Sequence, residues 1–212
     1  MIGALRRAHP TYVALRAGQW RGHGISFGHD PQDKALGILG MGSIGQAIAK
    51  RALAFGMHII YHNRHPVSSE IESSLNAKFV SMDELLTTSD VISLSLAYSP
   101  EAHHLLGRAE FAKMKKGVTI VNTARGKLID EEALIEALDS GKVWSAGLDV
   151  FEEEPGANPK LLKDDRVFLA PHMAAGTIET YLKMERAAFN NIESVLTKGV
   201  LVSIIPDQKG QL

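Results

Sequence analysis

The sequence predicts an α/β fold in which helices cover both faces of a doubly wound parallel sheet. Short apolar runs alternate with amphipathic stretches of about 10 to 15 residues, which is the pattern of βαβ units. The runs at residues 91–96 and 118–121 are apolar or small on both faces, as expected for strands covered on both sides. A glycine-rich turn directly after the first run, at residues 36–39, makes the predicted fold Rossmann-type.

The composition is that of an ordinary folded protein and narrows the function classes. The 212 residues include 23 Lys plus Arg and 24 Asp plus Glu, a formal net charge of −1, which argues against a nucleic-acid partner or an acidic membrane surface. With 45% hydrophobic residues, extensive disorder is not expected. The absence of cysteine excludes disulfides, thiolate zinc sites and a cysteine nucleophile. Because no apolar run reaches membrane-spanning length, we expect a cytoplasmic protein with no membrane partner.

The predicted elements follow one another regularly along the chain. Residues 1–20 are predicted to be helical with a turn or kink near Pro10, and residues 21–33 to be a surface connection. The predicted strands lie at residues 36–39, 58–61, 91–96, 118–121, 143–150 and 167–169. Helices are predicted between them, the first at residues 43–55, and a long helix runs from about residue 177 to 198.

Three glycines form the pattern G-x-G-x-x-G between the first strand and its helix. In this setting Gly40 makes the tight turn, Gly42 allows close approach of a pyrophosphate, and Gly45 allows helix–strand packing. The backbone N–H groups at the helix N-terminus, at Ser43 and Ile44, then face the phosphates. The motif indicates a dinucleotide site; the alternative is a merely tight βα turn.

The end of the second strand favours NADP(H) over NAD(H). An Asp or Glu is expected there when the adenosine ribose keeps its 2′-hydroxyl, yet no acidic residue occurs between Gly45 and Glu70. Asn63 can hydrogen-bond a 2′-phosphate, and Arg64 can pair with it bidentately. The alternative is that Arg64 is a solvated loop cation. The neighbouring His62 and His65 could add positive charge at low pH.

Three ionisable residues follow predicted strand ends, where open α/β sheets place their ligand crevice: Arg125, Glu154 and His172. Reduction of a 2-keto acid needs a hydride donor, a cation for the carbonyl and carboxylate oxygens, and an acid for the new alkoxide. A histidine whose pKa is raised by a nearby carboxylate suits the last role. Spacing alone does not separate Glu154 from Glu152 or Glu153.

These motifs resemble the cofactor domain of the D-2-hydroxyacid dehydrogenases. The resemblance is carried by the runs GILGMGSIG, VNTARGKLIDEEALIEALDSGKVWSAGLDVFEEEP and APH. The segments YHNRHP and MAAGTIET most resemble the NADPH-preferring glyoxylate and hydroxypyruvate reductase branch. The resemblance implies that Arg125 holds the keto acid, that Glu154 pairs with His172, and that His172 is the acid–base. It also implies that Thr123 and Asp149 lie on the nicotinamide side.

The same resemblance implies a homodimer. Dimers of this family form chiefly through the cofactor domain, so we expect residues 1–20 at a subunit interface. Leu5, Tyr12 and Leu15 would otherwise be exposed apolar surface on a lone helix. The alternative is that this helix packs against the sheet of its own chain.

The chain also departs from the family pattern. Pro-Leu-Thr or Pro-Leu-Asn usually follows the fourth strand, where this chain has Ala97, Tyr98 and Ser99; Ala102 replaces a threonine and Ala174 a glycine. Family members begin with a substrate domain, whereas this chain opens at the helix that enters the cofactor domain. We therefore expect it to bind NADPH but to reduce glyoxylate or hydroxypyruvate very slowly.

The predicted organisation follows from this resemblance. Residues 1–33 are a first helix and connection, residues 34–176 the dinucleotide-binding domain, and residues 177–212 a long helix and tail that would return to the substrate domain. The β-prone apolar run at residues 200–205 is then expected to have no partner of its own.

Two other functions compete with an NADP-dependent reductase of a small 2-keto acid. The first is a non-catalytic nucleotide-binding or dimerisation module of the same fold. The second, a DNA-associated corepressor, is disfavoured by the near-zero net charge. A catalytic metal is not expected, because no H-E-x-x-H motif occurs and because His103 and His104, predicted on a helix, would point to different faces.

Overall fold

The structure is a computed structural model that describes residues 1–22 and 27–204. Its strands are β1 (Ala35–Leu39), β2 (His58–His62), β3 (Ala77–Phe79), β4 (Val91–Leu94), β5 (Val118–Asn122), β6 (Val143–Leu148) and β7 (Val167–Leu169). They form one sheet in the order β3-β2-β1-β4-β5-β6-β7, and every neighbouring pair is parallel. The chain reverses its direction of winding between β1 and β4, which confirms the predicted doubly wound α/β fold and places a ligand crevice at that switch point.

Helices connect successive strands of the sheet, and one long helix follows the last strand in the chain. The α-helices of the described residues are α1 (Ile2–Leu5), α2 (Ala8–Arg16), α3 (Ser43–Leu53), α4 (Ser69–Leu75), α5 (Met82–Thr88), α6 (Arg108–Lys113), α7 (Glu131–Asp139), α8 (Pro159–Leu162) and α9 (Ile178–Lys198). Local sequence explains where several begin, since the side chains of Ser81, Asp130 and Thr177 accept hydrogen bonds from the first-turn N–H groups of α5, α7 and α9.

The core consists of two clusters that the sheet separates. Ile38 and Leu39, successive residues of β1, belong to different clusters, and so do Val91 and Ile92 of β4. Because successive strand residues point to opposite faces, each cluster fills one face. The central strands are therefore buried on both sides, as their continuous apolar runs predict.

The N-terminal segment corrects two predictions. Pro10 causes no turn or kink: it lies in the first turn of α2, where a missing N–H is tolerated, and the chain turns instead at Arg7, whose φ is 47°. Leu5 is buried in the cluster that contains Leu36, so it packs on the sheet of its own chain and is not available to a second subunit. Tyr12 and Leu15 are exposed, as predicted, at 60% and 58%.

Several predicted boundaries shift, and one strand was missed. Helix α3 ends at Leu53 rather than at residue 55, and β4 ends at Leu94 rather than at residue 96. The three-residue edge strand β3 is too short to give a recognisable alternation. Residues 23–26 of the predicted connection lie outside the described residues. Part of the remainder is packed, because the N–H of His29 donates to the carbonyl of Leu5 at 2.9 Å.

The described chain forms two compact units, Met1–Pro171 and His172–Leu212. In the second unit α9 ends at Lys198 and is capped by Gly199, whose φ of 65° is left-handed. Asn191 accepts hydrogen bonds from the N–H groups of Val202 and Ser203. The backbone at Val202 and Ser203 is thus bonded to α9, and the tail forms no strand. Val200 and Val202 are 57% and 69% exposed, as expected for an apolar run without a packing partner, and residue 205 lies outside the described residues.

Candidate active site

The glycine-rich turn between β1 and α3 contains Gly40, Gly42 and Gly45, for which the sequence predicts a tight turn, close approach of a pyrophosphate and helix–strand packing. Gly40 has a φ of 98°, and a Cβ there would lie 2.7 Å from the backbone of Ser95 and Leu96. A Cβ on Gly45 would lie 2.1 Å from the carbonyl oxygen of Gly40, so close packing of helix on strand requires this glycine. A Cβ on Gly42 would meet no atom within 4 Å. The protein's own packing therefore does not require Gly42, which leaves open space in front of the helix.

The N-terminus of α3 borders that open space. Ser43 and Ile44 are exposed there, and no side chain of the described residues caps the helix. Uncapped N–H groups together with the positive end of the helix dipole suit an anion such as a pyrophosphate. The residues of this turn fit a dinucleotide.

Asn63, at the end of β2, has a structural partner that the sequence did not indicate. Its Oδ1 accepts a hydrogen bond from the N–H of Met41 at 2.7 Å, so it fixes the glycine-rich turn. The loop that follows is held by Tyr61, whose buried hydroxyl accepts from the N–H of Val67 at 2.9 Å and donates to Glu72 at 2.7 Å. The loop at residues 63–67 is therefore anchored at both ends.

Arg64 is exposed within this loop, and its charge acts on the carboxylate of Glu101. The pKa of Glu101 is lowered by its own backbone N–H, then by the hydroxyl of Ser99, and further by the charge of Arg64. His65 is exposed, whereas a ring nitrogen of His62 lies 2.9 Å from the carbonyl oxygen of Val80. The charge of Arg64 therefore acts on Glu101 through space, and the ring of His62 is held by the backbone.

The turn after β5 presents Arg125 and is closed by a buried asparagine. Asn122 is 1% exposed; its Nδ2 donates to the carbonyl of Arg125 at 2.9 Å, and its Oδ1 accepts from the N–H of Ala124 at 3.0 Å. Arg125 itself is exposed and donates to the carbonyl of Ala124 at 2.6 Å. Sequence reasoning missed Asn122, although asparagine at a strand end is a common sign of such a turn.

The turn that bears Arg125 contacts the loop that bears Glu154. A Cβ on Gly126 would lie 1.9 Å from the backbone of Phe151, so only glycine allows this approach. The exposed Glu154 accepts a hydrogen bond from the N–H of Phe151 at 2.9 Å. At the base of the loop, the N–H of the buried Asp149 donates to the carbonyl of Asn122 at 3.0 Å.

One cavity of about 750 Å³ brings predicted cofactor and catalytic residues together. Its lining comprises Ile44, Ser95, Leu96, Ala97, Tyr98, Thr123, Ala124, Arg125, Gly126, Lys127, Phe151, Glu152 and Glu154. Among the described residues, the buried hydroxyl of Ser95 has no hydrogen-bond partner, so a ligand in this cavity has a polar group to meet.

His172 is the first residue of the second unit. It is exposed and has a left-handed φ of 55°, directly after the segment that follows β7. Ala174, predicted to crowd a nicotinamide amide, is exposed in the same unit.

His103 and His104 are not on a helix, contrary to prediction. They follow a short 3₁₀ turn, Pro100–Ala102, and the left-handed φ of His104 (51°) lets the two rings stack with centroids 3.9 Å apart. Within residues 1–22 and 27–204, no group of three or more histidine or acidic residues could hold a metal ion. Nor does any helix of the described residues have the length and apolar character needed to cross a membrane.

Comparison with known proteins decides the family. Residues 1–174 match the family described as D-isomer specific 2-hydroxyacid dehydrogenase, NAD binding domain. The chain belongs to this family. The D-2-hydroxyacid dehydrogenase relatives include 4-methyl-2-oxopentanoate reductase A of Aspergillus oryzae, which is 54% identical over 99% of this chain and 63% of its own length. Glyoxylate reductase 1 of Saccharomyces cerevisiae is 41% identical over 100% of this chain and 61% of its own length.

A solved structure agrees with this assignment. The crystal structure of a glyoxylate reductase from Paecilomyes thermophila superimposes with a TM-score of 0.93 at 54% identity, covering 98% of this chain and 62% of that one. The D-2-hydroxyacid dehydrogenase domain described here therefore spans somewhat under two thirds of the length of these relatives.

Proposed function

We propose that this domain serves an NADP(H)-linked reductase of a small 2-keto acid such as glyoxylate or hydroxypyruvate. The observation that carries the proposal is the single cavity that Ile44 of the glycine-rich turn shares with Thr123, Arg125 and Glu154. A dinucleotide whose phosphates lie at α3 would extend into this cavity, next to a cation and a carboxylate. The names of the relatives, glyoxylate reductase and 4-methyl-2-oxopentanoate reductase, support the substrate class.

The chain's own residues bind the keto acid and supply the proton, and the nicotinamide dinucleotide supplies the hydride when bound. Arg125 holds the keto-acid oxygens through its guanidinium group. His172 donates the proton to the new alkoxide, and Glu154 is its carboxylate partner, as the family resemblance implies. Thr123 and Asp149 contact the nicotinamide side. The roles of Arg125, Thr123 and Glu154 rest on the family resemblance and on the cavity that they line. Those of His172 and Asp149 rest on the resemblance alone.

The preference for NADP(H) rests on Asn63 and Arg64 and on the absence of an acid at the end of β2.

The proposed homodimer rests on α2, where Tyr12 and Leu15 form exposed apolar surface. Sedimentation of the 212-residue chain at micromolar concentration tests it, and a monomer would contradict it. The cytoplasmic location stays a prediction.

A steady-state assay of the purified chain with NADPH and each keto acid tests the reductase. We expect slow reduction, lost in His172→Ala, because Arg125 and Glu154 are exposed and substrate positioning can be worth about 7–11 kcal/mol in well-oriented systems. NADPH binding without any reduction would instead support the non-catalytic nucleotide-binding module. Robust turnover abolished by His172→Ala would confirm the reductase and contradict the expected slowness.

A further inference from the structure

Three segments that follow neighbouring strands meet at one residue, His104. Its backbone N–H donates to the carbonyl of Lys127, in the segment after β5, at 2.9 Å. Its ring Nε2 is hydrogen-bonded to Oε1 of Glu152, in the segment after β6. His104 itself belongs to the segment after β4. One residue thus connects the segments after all three strands, with its backbone N–H to one and its ring to another.

The backbone of Glu152 is held in place by contacts with two other segments of the chain, in addition to the pairing of its side chain with His104. Its backbone N–H donates to the carboxylate of the buried Glu131 at 2.9 Å, and Gly126 packs against its backbone. Burial raises the pKa of Glu131, and the nearby charges of Glu152 and Glu153 raise it further. The carboxylates of Glu131, Glu152 and Glu153 are therefore close enough to repel one another. The hydrogen bond from the imidazole of His104 stabilises the carboxylate of Glu152 in this environment.

We propose that His104 is a positioning residue: acting through Glu152, it holds the loop at residues 151–154 so that Glu154 faces the cavity. The side chain of Glu152 is two residues from Glu154, and the N–H of Phe151 already binds the Glu154 carboxylate. A loop fixed at Glu152 therefore fixes the acceptor end of Glu154. The effect of this positioning on catalysis rests on the proposed function.

Two substitutions at His104 and one at its neighbour separate a hydrogen-bonding role from general packing. His104→Gln keeps a side-chain N–H for Glu152, whereas His104→Leu removes it and keeps an apolar side chain. His103→Leu is the matched control, because His103 is exposed and stacks on His104. Far-UV circular dichroism verifies that each variant is folded.

The first readout is the ¹³Cδ resonance of Glu154 in glutamate-labelled chain, assigned with Glu154→Gln. We expect it to shift and broaden in His104→Leu and to resemble wild type in His104→Gln and His103→Leu. The second readout is kcat with NADPH and glyoxylate. We expect a roughly 10-fold to 100-fold loss in His104→Leu with the KM for NADPH unchanged, since a displacement of about 1 Å can cost roughly 100-fold.

The outcomes distinguish this proposal from the proposed function. An unchanged Glu154 resonance in folded His104→Leu overturns the role of His104, and so does a His104→Gln chain that fails to restore it. If the wild-type chain reduces no keto acid, the proposed function fails while the resonance still decides the role of His104.

Discussion

The side-chain oxygen of Asn63 accepts a hydrogen bond from the backbone N–H of Met41 at 2.7 Å. One residue therefore joins the two parts of a dinucleotide site: the glycine-rich turn, which would hold the pyrophosphate, and the end of β2, which would select the adenosine ribose. Met41 is buried, so its N–H has little access to water. Asn63 holds the turn in the structure, and we expect substitution to separate this role from the proposed contact with a 2′-phosphate.

Asn63→Asp and Asn63→Ala are expected to act differently on cofactor binding. Aspartate keeps the oxygen acceptor for Met41 but repels a 2′-phosphate, so NADPH affinity should fall about tenfold or more while NADH affinity is kept. Alanine leaves the Met41 N–H without its acceptor and should weaken both cofactors alike. Nicotinamide fluorescence measures all four affinities. Equal losses for both cofactors in Asn63→Asp would contradict the assignment.

Gly42 and Gly45 should respond oppositely to alanine. In Gly42→Ala the new methyl group enters open space, so the free energy of unfolding should change little while cofactor affinity falls. In Gly45→Ala it meets the carbonyl of Gly40, which should destabilise the fold by about 1–3 kcal/mol, although Gly→Ala within a helix normally stabilises. Urea unfolding and NADPH titration measure the two effects. Unchanged NADPH affinity in Gly42→Ala would remove the phosphate site from this turn.

Asn122→Ala should destabilise the folded chain. Asn122 is buried and closes the turn that bears Arg125 with two hydrogen bonds, so the substitution leaves backbone groups unpaired at a cost of about 1–3 kcal/mol. Asn158→Ala is the matched control, since that asparagine caps the short helix α8 at a less buried site. Urea unfolding of both variants measures the difference, and equal losses would show that Asn122 is no special anchor.

Glu131→Gln should become stabilising as the pH rises. Burial raises the pKa of Glu131, so the folded chain binds this proton more tightly than the unfolded one, and wild type loses stability as the pH rises through the folded pKa. Glutamine never ionises and still accepts from Glu152. The Tm difference should be near zero below the ordinary glutamate pKa of 4.5 and positive at pH 8. A lower Tm for the variant at pH 8 would contradict this.

Local signals predicted the fold and the glycine-rich turn between β1 and α3. The glycine spacing, the uninterrupted apolar strands and the βα alternation each lie within one short stretch of sequence, so their physical meaning could be read without knowing which loops meet. The position of Leu5 could not be predicted in this way, because it depends on whether α1 packs on its own sheet or on a second chain.

The contacts that organise the site could not be predicted either. Asn63 with Met41 and His104 with Glu152 each join segments far apart in sequence, and nothing local identifies the partner. The helix predicted around His103 does not form: a 3₁₀ turn ends at Ala102 and His104 has a left-handed φ of 51°, so the tertiary structure overrides local propensity here.

Equilibrium titration of the 212-residue chain with NADPH and with NADH, alongside Arg64→Ala and Glu101→Gln, decides whether this domain is the cofactor site of an NADP-linked enzyme. We expect wild type to bind NADPH more tightly than NADH. Arg64→Ala should lose that preference, a cost on the order of 1.5–3 kcal/mol, and Glu101→Gln, which removes the neighbouring carboxylate, should strengthen it. Equal wild-type affinities for the two cofactors would contradict the assigned specificity, and binding of neither would contradict the site itself.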